Sequence, residues 1–253
     1  MPGKASKSLV VGLGHPRCGT GFTASLLQSA GLDVGHEKMG ADGIVSWMAV
    51  AEREIVPYGS GIDKLRGHKA FCTVRSPLAA IPSIIPENGR PRSLAWRAQV
   101  IWEKRKVDIC SRPFVPPNNI ALAVASYVHW FELCLERKPK VIFRIDREED
   151  DARLGEFVGR DLRRTPDLRT NARPRVRFQG FEPQMIARAG GELVTRFADL
   201  ADRLGYPEDA ATIRAQLDKA ARGAGATTAE SPGPAKPAPS RRKPADKGKT
   251  LTA

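Results

Sequence analysis

Short apolar runs alternate with longer amphipathic stretches along most of the chain. The first run, Ser8–Leu13 (SLVVGL), has the valine-rich composition of a strand and leads into a glycine-rich segment. Apolar residues then recur at helical spacing over Phe22–Ala30, and Gly31 ends that pattern. The same alternation continues, with further strands expected at Leu32–Gly35, Ala70–Val74 and Val141–Ile145 and further helices at Ser46–Val56, Ser93–Asp108, Asn118–Arg137 and Pro183–Leu204. Strands separated by helices predict an α/β fold, a three-layer α/β/α domain with a central parallel sheet.

The last 31 residues differ in composition from the rest. Residues 223–253 are rich in Ala, Pro, Gly, Ser and Lys and contain no aromatic residue, so they cannot bury enough apolar surface to offset the entropy of ordering. We therefore expect one domain over residues 1–222, followed by a disordered basic tail over residues 223–253.

Charge and cysteine content narrow the classes of partner and compartment. The 253 residues carry a formal net charge of +13, which favours phosphate-bearing or other anionic ligands without choosing among them. The four cysteines form no Cys-x-x-Cys pair, which argues against a zinc ribbon or a disulfide scaffold. No export signal is recognised, and the most apolar long segment, Ile120–Leu135, is interrupted by polar residues and is too short for a membrane span. These features predict a cytoplasmic protein without a membrane span.

The most informative segment lies between the first strand and the first helix. Glycines at positions 14, 19 and 21 allow the backbone to turn sharply and approach an anion closely. The helix that follows would present its positive end, Arg17 would add a cation and Thr20 a hydroxyl donor. The dinucleotide pattern G-x-G-x-x-G fails because Arg17 stands where the third glycine belongs, and the triphosphate loop G-x-x-x-x-G-K-[ST] fails because Thr20 stands where lysine belongs. The segment predicts a phosphate-binding loop without the residues that hold magnesium.

Residues 15–22 (HPRCGTGF) resemble the 5′-phosphosulfate loop of the sulfotransferase family, usually Pro-[Lys/Arg]-Ser-Gly-Thr-Thr followed by an aromatic residue or leucine. Two positions depart from the pattern, with Cys18 in place of the serine and Gly21 in place of the second threonine, so two side-chain donors are missing. The matching positions are Pro16, Arg17, Gly19, Thr20 and Phe22. The resemblance implies a P-loop-like fold of the sulfotransferase type. It also implies that the backbone of this loop binds the 5′-phosphate of 3′-phosphoadenosine 5′-phosphosulfate (PAPS), with Arg17 contacting the leaving-group oxygen and no metal required.

A second basic element follows the strand at Ala70–Val74. Pro77 favours an extended chain before it, which would project Arg75 from the carboxyl end of the strand, where parallel sheets bind ligands. Ser83 comes eight residues after Arg75 and would return a hydroxyl to the same region. An arginine followed at this spacing by a serine resembles the 3′-phosphate element of the same family.

The candidate base lies at the end of the second predicted strand, in Val34-Gly35-His36-Glu37. His36 is favoured because an imidazole titrates near neutral pH, whereas Glu37 would need a raised pKa to act as a base and would otherwise orient the imidazole. Arg144 at the end of the last strand is open to two interpretations, an ion pair with Asp146 or ligand binding. The family's glycine- and lysine-rich C-terminal cofactor motif is missing. An arginine-rich segment at residues 159–178 occurs instead, and it would close over the cofactor, contact an anionic acceptor or form a solvated surface.

Three other functions stay open at this stage. A small-molecule kinase would need magnesium and a lysine after Gly19, and a non-enzymatic nucleic-acid-binding protein would leave the glycine loop unexplained. A sulfotransferase-like protein that binds PAPS without turnover is the third, because of Cys18 and Gly21. No specific nucleic-acid partner is expected. The acceptor of the predicted transferase is a small molecule, a glycan or a lipid, and the sequence identifies neither the acceptor nor the oligomeric state.

Overall fold

Five short parallel strands form the centre of the fold in a computed structural model, which describes residues 9–51, 68–111, 118–168 and 178–226. Their order across the sheet is β2-β3-β1-β4-β5, so β1 and β4 are direct neighbours in the middle. Leu13 at the end of β1 lies opposite Cys72 in β4. The strands are β1 (Val10–Leu13), β2 (Val34–His36), β3 (Gly43–Val45), β4 (Lys69–Val74) and β5 (Val141–Arg144).

Helices cover both faces of this sheet. One hydrophobic cluster joins the inward residues of α1 and α5 to one face of the strands, for example Leu27 to Phe71 and Phe143. A larger cluster joins α2, α3, α4, α6 and α7 to the opposite face through residues such as Val11 and Cys72. The helices are α1 (Thr20–Ser29), α2 (Pro77–Asn88), α3 (Pro91–Arg105), α4 (Asn118–Glu136), α5 (Asp150–Val158), α6 (Gly191–Arg203) and α7 (Pro207–Ala226), with 3₁₀ turns at Trp47–Ala51, Pro166–Leu168 and Pro183–Ala189. The predicted central parallel sheet flanked by helices is therefore confirmed.

The segment between β2 and β4 departs from the prediction. A helix was expected at Ser46–Val56, but β3 at Gly43–Val45 is followed by a 3₁₀ turn over Trp47–Ala51, and positions 52–56 lie outside the described residues. β3 was missed because it contains only three residues and begins with glycine, a weak strand former. The strand separates β2 from β1 in the sheet.

The C-terminal part also differs. The single helix expected at Pro183–Leu204 is divided at Gly190, whose φ of 102° cannot continue an α-helix. The next helix, α7, runs to Ala226 and so passes the expected domain boundary at residue 222. The tail predicted for residues 223–253 lies outside the described residues from position 227 onward. None of the helices in the described ranges combines the length and the apolar character needed to cross a membrane.

Replacing Gly43 by alanine should destabilise the sheet strongly. Gly43 has a φ of 141°, and a Cβ there would lie 2.0 Å from the carbonyl oxygen of Val10, its partner residue in β1. We expect Gly43→Ala to lower the free energy of unfolding by about 3 kcal/mol or more, measured by urea denaturation. Gly191→Ala is the matched control because the nearest atom to its new Cβ is 4.0 Å away. A Gly43→Ala protein as stable as this control would contradict the described packing of β3 on β1.

Candidate functional site

The glycine-rich segment forms a tight loop between β1 and α1. The Cys18 amide donates to the carbonyl of His15 over 3.0 Å, which closes a turn, and Arg17 adopts a left-handed φ of 72°. Gly19 also has a positive φ, of 93°, and a Cβ there would lie 2.4 Å from Ile145. No side chain caps the first turn of α1, and no acidic residue occupies it. The loop therefore joins a left-handed turn to a helix N-terminus that carries no competing carboxylate, an arrangement that favours anions.

Cys18 points into the protein. Its side chain is fully buried in the core on the α4 side of the sheet, and its amide is used within the turn. Burial raises the pKa of the Cys18 thiol well above its usual range, so the thiol stays protonated. Among the candidate loop residues Cys18 therefore contributes packing, and its side chain is not presented to a ligand. Gly21 and Phe22 are partly exposed, whereas Pro16 and Thr20 are largely buried.

Arg17 and Arg75 lie at the same edge of the sheet. Arg75 directly follows β4, and β4 is the strand that pairs with β1. The positive charges of Arg75 and Arg17 both act on the Cys18 thiol and lower its pKa, against the larger effect of burial. Both arginines are partly exposed. Two cations therefore flank the turn from neighbouring strand ends.

Ser83 is placed differently from Arg75. It lies in the second turn of α2 with only 2% of its surface exposed, so its hydroxyl is not presented at this edge of the sheet. The helix is longer than the one or two turns expected, running over twelve residues. Of the two residues predicted to hold a 3′-phosphate, only Arg75 reaches the edge in this structure.

Two carboxylates occupy the start of α2. Asp209 from α7 accepts hydrogen bonds from the Ser76 hydroxyl at 2.6 Å and the Leu78 amide at 3.0 Å. Asp146 accepts from the Ser76 amide at 3.0 Å and from the Tyr206 hydroxyl at 2.5 Å. These carboxylates satisfy donors that a phosphate would otherwise use. A phosphate beside Arg75 would therefore be held by the guanidinium and not by the N-terminus of α2.

His36 and Glu37 sit at the carboxyl end of β2, close to the glycine loop. The Nε2 atom of His36 lies 3.3 Å from the Thr20 hydroxyl and 3.9 Å from Oε1 of Glu37. Burial lowers the pKa of His36, and the neighbouring Glu37 partly opposes this shift. The indole of Trp47 donates to Oε1 of Glu37 over 2.9 Å, which fixes that carboxylate. Near neutral pH the imidazole is therefore uncharged and can accept a proton.

Several arginines predicted as possible ligand contacts are engaged elsewhere. Arg144 pairs with Asp150 at 2.7 and 2.8 Å and donates to the carbonyl of Gly205, so the ion pair is formed with Asp150 and not with Asp146, the partner named in one of the two interpretations. Arg164 from the arginine-rich segment pairs with Asp151 and lies over the Phe22 ring, with 5.3 Å to the ring centroid. Arg160 and Arg163 are exposed, and positions 169–177 lie outside the described residues.

The underside of the loop is held by residues that the sequence did not single out as functional. Trp130 on α4 donates its indole N–H to the Gly14 carbonyl over 2.8 Å. His15 is fully buried and contacts Ser126, also on α4. The available signal for Ser126 was a polar residue inside the apolar run that begins at Ile120, and sequence alone does not show what it faces.

A separate cavity of about 390 Å³ lies on the far side of α4, between that helix, α6 and the residues that follow α3. His129 and Arg196 line it together with apolar residues such as Leu122. Within the described ranges no three His, Cys, Asp or Glu side chains are grouped as metal ligands would be. Comparison of the chain with known protein families, characterised proteins and solved structures finds no significant match.

Removing the Asp209 carboxylate should weaken the attachment of α7 to α2. Asp209→Ala leaves the Ser76 hydroxyl and the Leu78 amide without their acceptor, so we expect the free energy of unfolding to fall by about 1–2 kcal/mol. Urea denaturation measures this change. The control is Glu208→Ala, because Glu208 is exposed and makes only a long ion pair of 3.5 Å with Arg147. Equal stability of the two variants would show that the hydrogen bonds of Asp209 to Ser76 and Leu78 contribute nothing to stability.

Proposed function

We propose that this protein is a sulfotransferase of the P-loop-like type that moves a sulfuryl group from PAPS to a hydroxyl or amine of an acceptor. The observation that carries the proposal is that Arg17 and Arg75 follow two paired neighbouring strands and so lie at one edge of the sheet, beside a glycine loop that precedes an uncapped helix. PAPS carries phosphate at both ends of its ribose, and two neighbouring cationic positions suit such a ligand.

The proposal gives each of these residues a role in the reaction. The loop amides and Arg17 bind the 5′-phosphate, and Arg75 binds the 3′-phosphate. The acceptor oxygen or nitrogen attacks sulfur, the bond from sulfur to the phosphate oxygen breaks, and the leaving 3′,5′-adenosine diphosphate carries the electron pair. His36 accepts the acceptor proton, with Glu37 beside it, and Arg17 stabilises charge on the leaving oxygen. Positioning and charge stabilisation supply most of the catalysis, and no metal is needed.

Thr20 links the two halves of this site. Its hydroxyl lies at the start of α1 and contacts the Nε2 atom of His36 over 3.3 Å. This contact keeps the imidazole close to the glycine loop, where the sulfuryl group of PAPS would lie. The acceptor would approach from the side of β2, and its identity as a small molecule, glycan or lipid is open.

Calorimetry with 3′,5′-adenosine diphosphate in EDTA tests the two cationic positions. Wild type should bind without metal, and Arg75→Ala or Arg17→Ala should each weaken binding about 30-fold, which corresponds to about 2 kcal/mol for a lost charged hydrogen-bond partner. Arg222→Ala serves as the charge-matched control, because it also removes one exposed positive charge but does so far from the site. Asp209 is the residue of α7 that contacts the start of α2 beside Arg75, and Arg222 lies about 20 Å further along α7 at a helical rise of about 1.5 Å per residue.

Equal binding by wild type and Arg75→Ala would remove Arg75 from the site. A strict requirement for magnesium would instead favour a nucleoside-triphosphate enzyme.

The pH dependence of turnover tests the base. Because burial lowers the pKa of His36, the imidazole is neutral at pH 7 and becomes protonated only below its usual range. We expect release of 3′,5′-adenosine diphosphate from PAPS, measured by chromatography with water or an added acceptor, to stay constant down to the usual pKa of histidine and to fall only at lower pH. His36→Gln should lower the rate about 100-fold or more and remove this acidic limb, and Glu37→Gln should retain it. The reverse pattern would identify Glu37 as the base, and binding without any release would identify a protein that has lost turnover.

A further inference from the structure

Three fully buried polar side chains form a chain beneath the glycine loop. His15 belongs to the loop, Ser126 to α4 and Arg97 to α3, and each has 0% of its surface exposed. The Nε2 atom of His15 lies 2.9 Å from the Ser126 hydroxyl, which lies 3.2 Å from Nε of Arg97. The Nδ1 atom of His15 lies 2.6 Å from the carbonyl oxygen of Pro16. Four polar groups from three separate elements therefore meet in the core.

The chemistry of the groups fixes the direction of each hydrogen bond. The Pro16 carbonyl can only accept, so Nδ1 of His15 carries a proton and donates to it. Burial together with the nearby Arg97 charge lowers the pKa of His15 well below its usual range, so the imidazole carries no second proton. Nε2 is therefore an acceptor, and the Ser126 hydroxyl donates to it while the Ser126 oxygen accepts from Nε of Arg97. The imidazole is thus held in its neutral Nδ1–H form.

Arg97 is an unusual residue to bury for structural reasons alone. Its hydrogen-bond partners are the neutral groups of Ser126, Ser93 and Asn88, and its guanidinium lies 5.9 Å from the centroid of the Trp47 ring. Burial lowers the pKa of Arg97 to about 10, which still leaves it charged at neutral pH. A buried cation is costly unless hydrogen bonds and nearby opposite charge compensate it, and the charge of Glu87 supports the charged form of Arg97. The charge of Arg97 acts on His15 in the loop above it.

We propose that Arg97, Ser126 and His15 form a relay that positions the Pro16–Arg17 peptide for anion binding. In a trans peptide the C=O and the N–H point in opposite directions. Because His15 holds the Pro16 carbonyl inward, the Arg17 amide points outward, where the proposed 5′-phosphate binds. Donation to a carbonyl also polarises its peptide, which strengthens the amide as a donor.

The backbone of Arg17 supports this assignment. Its φ of 72° is uncommon for a residue other than glycine and persists only where the surroundings hold it in place. The relay acts on the preceding peptide and supplies that constraint. These three residues are positioning residues, since none of them touches the reacting atoms, and the inference deepens the proposed function by naming what orients its loop.

Nuclear magnetic resonance of the imidazole nitrogens tests the relay without any ligand. Wild type should show His15 as the neutral Nδ1–H tautomer at pH 7, and Ser126→Ala should shift it toward a mixture of tautomers because the donor to Nε2 is lost. A wild-type His15 in the Nε2–H or doubly protonated form would overturn the relay, whatever the protein binds.

Calorimetry with 3′,5′-adenosine diphosphate tests the consequence for binding. His15→Phe removes the donor to the Pro16 carbonyl and should weaken binding at least tenfold. His15→Asn can still donate from Nδ2 to that carbonyl and should stay within about threefold of wild type. His129→Phe is the control, because His129 is a buried histidine on the same helix as Ser126 but lines the separate cavity and contacts Arg196 and not the relay.

The outcomes separate the relay from the proposed function. Equal weakening by His15→Phe and His15→Asn, or the same loss in His129→Phe, would overturn the positioning role and assign the effect to general destabilisation. A wild-type protein that binds no adenosine nucleotide would overturn the proposed function and the ligand-binding half of this inference together. The tautomer measurement would then still decide whether the relay exists.

Discussion

The parallel pairing of β1 with β4 is the constraint on which the rest of the site depends. With Leu13 opposite Cys72, the two strands end side by side, and the chain segments that leave them carry Arg17 and Arg75 to one edge. Two cations held near the same buried thiol create a local positive potential that the low-dielectric core beneath them strengthens. A shift in the β1–β4 register would turn the loop and the second arginine away from each other. The placement of both cations at this edge therefore follows from backbone pairing in the middle of the sheet.

Helix α4 determines how the loop sits on that sheet. Trp130 and Ser126 hold the Gly14 carbonyl and the His15 imidazole from below, and Tyr127 donates to the Arg75 carbonyl over 3.2 Å. One face of α4 thus fixes backbone groups of both cationic segments, while the opposite face lines the cavity with His129. Each of these hydrogen bonds satisfies a buried polar group, so the loop conformation is specified by polar contacts as well as by packing.

The sequence predicted the sheet, the glycine loop and the position of Arg75 because these depend on local patterns. An apolar run that stops at glycine or at Arg75-Ser76-Pro77 marks the end of a strand from local sequence alone, without knowledge of what the strand packs against. β3 was missed because three residues carry too little pattern, and the role of Asp209 was missed because it contacts Ser76 across 133 positions of sequence. Ser83 was expected at the edge from its spacing, but it lies on the buried side of α2 beside Ile84. Local periodicity therefore located the strand ends, whereas the partners of each polar group depend on long-range packing.

Cys18 and Gly21, the two positions at which the loop differs from the sulfotransferase pattern that it resembles, lie in different surroundings. Cys18 is buried with a protonated thiol, and a serine hydroxyl at this position would need a hydrogen-bond partner in an apolar environment. The cysteine therefore suits the core beneath the loop. Gly21 is partly exposed in the first turn of α1, where a missing side chain leaves the helix amides more accessible to an anion. If the loop binds a phosphate, its backbone and Arg17 must supply most of the contacts. This makes the orientation of the Pro16–Arg17 peptide, and so the buried groups beneath it, more important here than in a loop with two hydroxyl donors.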